Sequence, residues 1–216
     1  SSEGIAYYFK EIPADANFEL TAKAHVESFA MNNQVSFGLM IRDKVLYNKS
    51  TNETLGNYLA VGPIDVTKEP AKIVFYRTDS LVKLGDLRNE PVPAAGCVYD
   101  LSIKKSGTTY ILTFGKEEPV IVEDFTSFKG DTIFAGFFTS RNTTVVFSNY
   151  DLKVDTRKVV RLKVNSALMK REYLLGEDLD LTGLTVTAVY SDGSEEALSA
   201  DDYIVTGFDH SKVGPT

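Results

Sequence analysis

A strict two-residue alternation of apolar and polar side chains constrains this chain more than any other feature. In FELTAKAHV, Phe18, Leu20, Ala22, Ala24 and Val26 alternate with Glu19, Thr21, Lys23 and His25. Successive side chains of a strand point to opposite faces, so this segment has one dry face and one wet face. The same alternation, or a short apolar run, recurs in VSFGLMIR, NYLAVGPI, KIVFYRT, YDLSIKK, TTYILTFG, TIFAGFFTS and TVVFSNYDLKV. Turn-forming clusters separate them, among them KSGT at 105–108, GKEEP at 115–119 and SRNT at 140–143. No segment holds a 3.6-residue apolar period over three turns, which excludes an amphipathic-helix architecture. Eight or nine strands in the first 156 residues predict a two-sheet antiparallel sandwich.

The pattern restarts near residue 156. DTRKVVRLKV is basic and polar before it becomes a strand, as suits a connector, and then Val160, Leu162 and Val164 alternate. Leu184, Val186, Ala188 and Tyr190 alternate again, and Asp192-Gly193 sits where a tight hairpin needs positive φ. Two units are therefore expected, 1–156 and 157–216, with a small immunoglobulin-like sandwich in the second. The chain begins within a strand pattern and stops at KVGPT without a closing element, so it reads as part of a longer protein.

Charge and cysteine content narrow the function classes. The net charge is −7, and residues 1–156 carry 16 Lys and Arg against 20 Asp and Glu. Nucleic acid and anionic membrane are poor partners for such a chain. Cys97 is the single cysteine and His25 and His210 stand far apart, which removes intrachain disulfides and Cys- or His-based metal clusters. Membrane insertion is not expected, since no run of 18 apolar residues occurs.

Catalytic signatures are missing as well. Sandwich glycosidases need two carboxyl groups roughly 5–9 Å apart across the sugar. The acidic residues instead come as adjacent pairs beside turns, at 117–118, 123–124, 177–178, 195–196 and 201–202, which on a strand face opposite sides. These are read as solvated loop residues. No G-x-S-x-G, P-loop or H-E-x-x-H string is present. The chain is read as non-catalytic.

Binding candidates come from aromatic, arginine and amide side chains. Rings stack on the C–H faces of sugars, and arginine is favoured when the sugar is acidic. Arg42, Arg77 and Arg141 each end a strand pattern, Tyr58 and Tyr76 lie in adjacent strands, and Asn57 and Asn142 stand at neighbouring strand ends. Arg42 shares a strand face with Met40, opposite Phe37, Leu39 and Ile41. It either pairs with an aspartate and braces the sheet or faces a groove, and bracing is the preferred reading. The 15-residue stretch DKVLYNKSTNETLGN is longer than a hairpin needs and is a second candidate region. Its N-x-S/T strings are taken as chance matches.

Two resemblances add to this reading. LKVNSALMKREYLLGEDLDLTGLTVTAVYSDGSEEALSADDYIVTGFDHSKVGPT resembles the bacterial immunoglobulin-like domains of Gram-positive surface and secreted enzymes. Members continue into one more strand, so the resemblance implies a C-terminally truncated unit. IPADANFELTA, NNQVSFGLMIRD, LGNYLAVGP and FFTSRNTTVVFSN resemble the jelly-roll module of secreted polysaccharide-degrading enzymes of the pectate-lyase-associated type. That resemblance implies a concanavalin-like jelly roll acting as an ancillary, carbohydrate-binding module. The chain has no tryptophan, so sugar stacking falls to Tyr and Phe.

Together these imply an all-β binding module with an Ig-like spacer, monomeric and tethered to other domains of an extracellular or wall-attached bacterial protein. Its partner would be a polysaccharide or host glycan. A protein-binding adhesin or structural spacer is the alternative. No cofactor is expected. Sandwiches of this type often carry a structural calcium ion, which is kept as the lesser expectation because no D-x-D-x-D-G loop is present.

Overall fold

A computed structural model describes residues 4–45 and 56–211, and its contacts divide the chain into Ser1–Thr156 and Arg157–Thr216. Most of the 15-residue stretch singled out in the sequence, including Tyr47, lies outside the described residues. The described residues of the first unit contain eleven strands. They are β1 (Ile5–Pro13), β2 (Asn17–Phe29), β3 (Ser36–Arg42), β4 (Tyr58–Ile64), β5 (Lys72–Arg77), β6 (Leu81–Asp86), β7 (Val98–Ser106), β8 (Thr109–Phe114), β9 (Val120–Val122), β10 (Thr132–Ser140) and β11 (Thr143–Asp155). They form two antiparallel sheets, ordered β1-β10-β3-β4-β5-β6 and β11-β2-β7-β8-β9. The unit is an all-β antiparallel sandwich.

The alternation read in β2 is realised residue by residue, with Phe18, Leu20, Ala22, Ala24 and Val26 all buried. These side chains meet Phe37, Leu39 and Ile41 of β3, Leu59 and Val61 of β4, and Tyr99, Leu101 and Ile103 of β7 in one core between the sheets. A fully buried side chain of this size contributes about 1.5–3 kcal/mol, so this layer dominates the stability. Two strands went unread because their patterns are weak. β6, LVKLGD, is half-exposed at a sheet edge, and β9 is only three residues long.

All seven residues of β3 and all seven of β4 are buried, although only one face of their sheet packs on the other sheet. The opposite face carries its own apolar layer of Met40, Tyr58, Ala60, Ile64, Phe75 and Phe138, joined by Ile5 and Tyr7. A strand with two dry faces belongs at the centre of a sheet, and β3 and β4 occupy that place.

One group of acidic residues departs from its solvated-loop reading. Glu117 is buried, and one carboxylate oxygen accepts the backbone N–H groups of Arg88, Asn89 and Glu90 at 2.8, 2.6 and 2.8 Å. Glu90 returns the contact by accepting the Lys116 N–H at 2.9 Å. The turn after β8, closed by the Glu117 N–H donating to the Phe114 carbonyl, aims the carboxylate inward, and three donors then compensate its burial.

In the second unit β12 (Val159–Asn165), β13 (Thr185–Tyr190) and β14 (Glu195–Ala197) form one antiparallel sheet, followed by a single 3-10 turn at Ala200–Asp202. Val186, Ala188 and Val189 are its buried apolar residues, and Gly193 takes φ 84° in the β13–β14 hairpin, as the Asp-Gly pair predicts. The Arg157 guanidinium lies 4.2 Å from the centre of the Tyr190 ring.

Replacing Glu117 with alanine strands three backbone donors and is expected to cost about 2–3 kcal/mol, read by denaturant unfolding. Glu117→Gln, which keeps one acceptor oxygen, should lose clearly less. Equal losses in the two variants would contradict the carboxylate's role.

Candidate functional site

On the outer face of the six-stranded sheet, the face turned away from the sandwich core, the side chains enclose a depression of about 450 Å³. Its position follows from the register. Arg42 of β3 pairs with Tyr58 of β4, Tyr58 pairs with Arg77 of β5, and Phe75 pairs with Lys83 of β6. Directly paired residues share a face, so these side chains all emerge on the outer side. The floor is a run of edge-to-face rings. Tyr58 and Phe75 stand 6.0 Å apart at 80°, and Phe75 and Phe138 stand 5.9 Å apart at 82°.

Between this aromatic floor and the Ser36–Ser140 end of the depression lie Gly38 and Gly62. A Cβ on Gly38 would fall 1.9 Å from the Val61 carbonyl oxygen, and one on Gly62 would fall 2.0 Å from that of Phe37. Neither position admits a side chain, and the face stays hollow there.

Polar groups rim the hollow. Asn33, Gln34, Ser36 and Ser140 line one end, and Arg77, Arg141, Lys68, Lys83 and Asp65 contribute the charges. Asp65, buried with φ 56°, accepts from Lys83 at 2.7 Å and Lys68 at 3.0 Å. Burial alone would raise its carboxyl pKa, but the hydrogen bonds and charges of the two lysines outweigh it and hold the group below the ordinary 3.8.

Of the seven residues singled out in the sequence, Tyr58, Arg77 and Arg141 meet at this depression. Arg42 is 1% exposed, with its guanidinium 5.1 Å from the centre of the Tyr58 ring and Nη1 3.7 Å from the Met40 sulfur. It holds a position behind the floor. Tyr7 is part of the same layer, donating its hydroxyl to the Phe134 carbonyl at 2.7 Å, with the Met40 carbonyl at 2.8 Å. Burial pushes the Tyr7 hydroxyl pKa up, and the nearby Arg42 charge opposes that shift.

The other three lie elsewhere. The Asn57 backbone N–H and Nδ2 both donate to the Asp43 carboxylate, at 2.8 and 3.1 Å, and Nδ2 also reaches the Ser127 carbonyl at 2.5 Å. Asp43 accepts the Lys129 N–H as well, at 3.1 Å. Asp43 thus ties two loops together. Tyr76 turns to the sandwich core and packs edge-on against Phe125 at 5.5 Å. Asn142 is exposed on the β10–β11 hairpin, beside a separate shallow hollow.

Sequence reasoning missed Lys68, Lys83 and Asp65. Only the β4–β5–β6 meander brings them together, and Asp65 and Lys68 come from a turn after β4 without a strand pattern. A cleft of about 340 Å³ at the β1–β10–β11 edge was also unread. It holds the exposed rings of Tyr8 and Tyr150 around Phe137, with Tyr150 placed by a bulge at which Asn149 takes φ 49°. Among the described residues no group of three or more His, Cys, Asp or Glu side chains converges as a metal site would require.

Because the folded Asp65 carboxyl ionises more readily than in the unfolded chain, its contribution to stability is complete above about pH 4 and is lost as the pH falls through the lower folded value. Asp65→Asn, which tolerates the left-handed backbone, should remove that part of the acid dependence. Unfolding midpoints measured from pH 3 to 7 check this, and identical acid profiles for the two proteins would contradict it.

Comparison with known proteins places the two ends of the chain. Residues 1–58 match the pectate disaccharide-lyase N-terminal domain, and residues 167–216 match the bacterial Ig-like domain (group 3). Pectate lyase L of Thermoclostridium stercorarium is 42% identical over 216 residues, covering 99% of this chain. The chain spans 17% of that relative's length. Solved structures with similar folds include carbohydrate binding module CBM66 from Bacillus subtilis, at TM-score 0.46 and 13% identity over 71% of this chain and 84% of that one. The lectin I-B4 from Griffonia simplicifolia aligns at TM-score 0.46 and 16% identity, over 70% and 80% of the two chains. The chain thus joins a segment matching the pectate-lyase-associated N-terminal module to one matching a bacterial Ig-like domain, as the sequence resemblance implied.

Proposed function

We propose that this chain is a non-catalytic carbohydrate-binding module with an Ig-like spacer, part of a secreted or cell-surface bacterial protein that degrades glycans. The observation that carries this reading is the depression on the outer sheet face. It combines a ring floor of Tyr58, Phe75 and Phe138 with a rim of amide, hydroxyl and guanidinium groups. Ring floors accept the C–H faces of pyranoses, and planar polar side chains around them fix orientation through hydrogen bonds.

Chemistry at the same place supports a binding role over a catalytic one. Asp65 is the single carboxylate among the described lining residues, and two lysines engage it. Glycoside hydrolysis uses a pair of carboxyl groups, one of them free to carry a proton. Two further observations fit the extracellular assignment. The relative bears the name of a pectate lyase, and an Ig-like unit suits a chain of tethered modules. No helix among the described residues is long and apolar enough to cross a membrane. Holding an attached enzyme beside its polymer raises the local concentration of substrate, which is the physical benefit of such a module.

Affinity-gel electrophoresis of the 216-residue chain against a panel of plant and bacterial polysaccharides tests the proposal. Retardation by at least one polymer is expected, weakened about tenfold in Arg77→Ala, the order of one lost charge-assisted hydrogen bond. The melting temperature of that variant should change little, since Arg77 is half-exposed. Absence of retardation by any polysaccharide would leave the spacer reading in its place.

A further inference from the structure

Among the described residues, Tyr8 and Tyr150 carry the two most exposed aromatic rings, at 73% and 63%. They converge at one place. β1 and β11 are edge strands of the two sheets, and both rings line the cleft of about 340 Å³ between those edges. At the opposite edge the sheets close on each other, since a Cβ on Gly85 of β6 would fall 2.5 Å from a Val120 methyl of β9. At the β1–β11 edge they stand apart, and the inner side chains of Leu20, Phe137 and Leu152 are reached from outside.

The register explains both rings. Tyr8 pairs with Phe137, which pairs with Leu39 of the core, so Tyr8 emerges on the inner face of its sheet. In β11, Phe147 and Leu152 both oppose buried residues of β2, although five positions separate them. A bulge resets the alternation: Asn149 and Tyr150 stand opposite the single residue Ala22, and Asn149 takes φ 49°. Without the extra residue Tyr150 would leave the outer face of the sheet. With it, Tyr150 turns over Phe137, at 5.5 Å and 69°. Tyr8 lies parallel to Phe137 within 2°, at 6.2 Å, so the two exposed rings stand steeply to each other as walls of a corner.

We propose that this corner is a second sugar-binding site of the module and that it takes uncharged pyranose units. The inference rests on the glycan-binding reading and adds a site to it. Flat ring faces accept the C–H face of a pyranose, while tyrosine hydroxyls reach its hydroxyl groups. Neither the Tyr8 nor the Tyr150 hydroxyl has a protein hydrogen-bond partner among the described residues. Charge decides the ligand class. Lys10 and Asp151 line the cleft, one cation against one carboxylate, and no guanidinium joins them among the described lining residues. An ionised sugar therefore meets no excess of counter-charge. A strand that bulges to present a ring to solvent, instead of burying it, points to a contact outside the fold. Occupied together with the depression, the cleft gives the module two holds on one polymer, and affinity rises through effective concentration.

Amide shifts of the 216-residue chain, followed by NMR during titration with xylohexaose and with cellohexaose, test the assignment. Saturable changes are expected at residues 8–10, 135–137 and 149–152, and they should persist in Arg77→Ala. Tyr150→Phe, which keeps the ring, should keep nearly full affinity. Tyr150→Leu keeps an apolar cover over Phe137 but removes the flat face, and should weaken binding about tenfold at an unchanged melting temperature. No change at the cleft with either sugar, or full affinity in Tyr150→Leu, overturns the second site while glycan binding at the depression stands. Sedimentation of the same samples tests the competing occupant. Dimerisation that Tyr150→Leu abolishes, without sugar-induced shifts at the cleft, makes the corner a contact between copies of the chain and overturns the proposal. If in addition no polysaccharide retards the chain in a gel, the glycan-binding reading itself fails.

Discussion

Burial of both faces at the centre of the six-stranded sheet is the constraint on which the rest of this molecule depends. β3 and β4 have no exposed residue, although a two-sheet sandwich needs only one dry face per strand. One side supplies the core with Phe37, Leu39, Ile41, Leu59 and Val61. The other side has to be dry without a third sheet, and it manages this with large rings and a buried arginine. Arg42 lies over Tyr58 and beside the Met40 sulfur, contacts that set its guanidinium against polarizable neighbours. The rings that seal the layer also floor the depression, so the packing of the layer and the proposed sugar contact share Tyr58 and Phe75.

Acidic groups elsewhere in the first unit act as fasteners. Asp43 and Glu117 are buried carboxylates that each gather backbone or amide donors from a distant loop. Asp65 performs a comparable task with two lysines at the depression's rim. With these acidic groups engaged in holding loops, the half-exposed Arg77 and the exposed Arg141 are distinctive charges of the outer sheet face.

The sandwich was legible in the sequence because period-two burial is a direct consequence of strand geometry, and β2 follows it at every buried position. Tyr58, Arg77 and Arg141 were legible as strand-end residues with suitable chemistry. Tyr76 was not separable from Arg77, since adjacent residues differ only in face and a one-residue shift reverses the assignment. Asn57 was offered as a ligand contact, but its amide is occupied by Asp43 and Ser127, partners that only the folded loops supply. Glu117 read as a solvated loop residue because its three donors lie about thirty residues upstream. Lys68, Lys83 and Asp65 belong to segments without a strong pattern, and their convergence is a property of topology alone.

The central claim is that a sugar occupies the outer-face depression. Amide chemical shifts of the 216-residue chain, followed by NMR during titration with a uronate oligosaccharide, test it most directly. The account predicts saturable changes concentrated at residues 33–36, 58–65, 75–83 and 138–141. Changes confined to the cleft of Tyr8, Phe137 and Tyr150, or no saturable change at all, would contradict it.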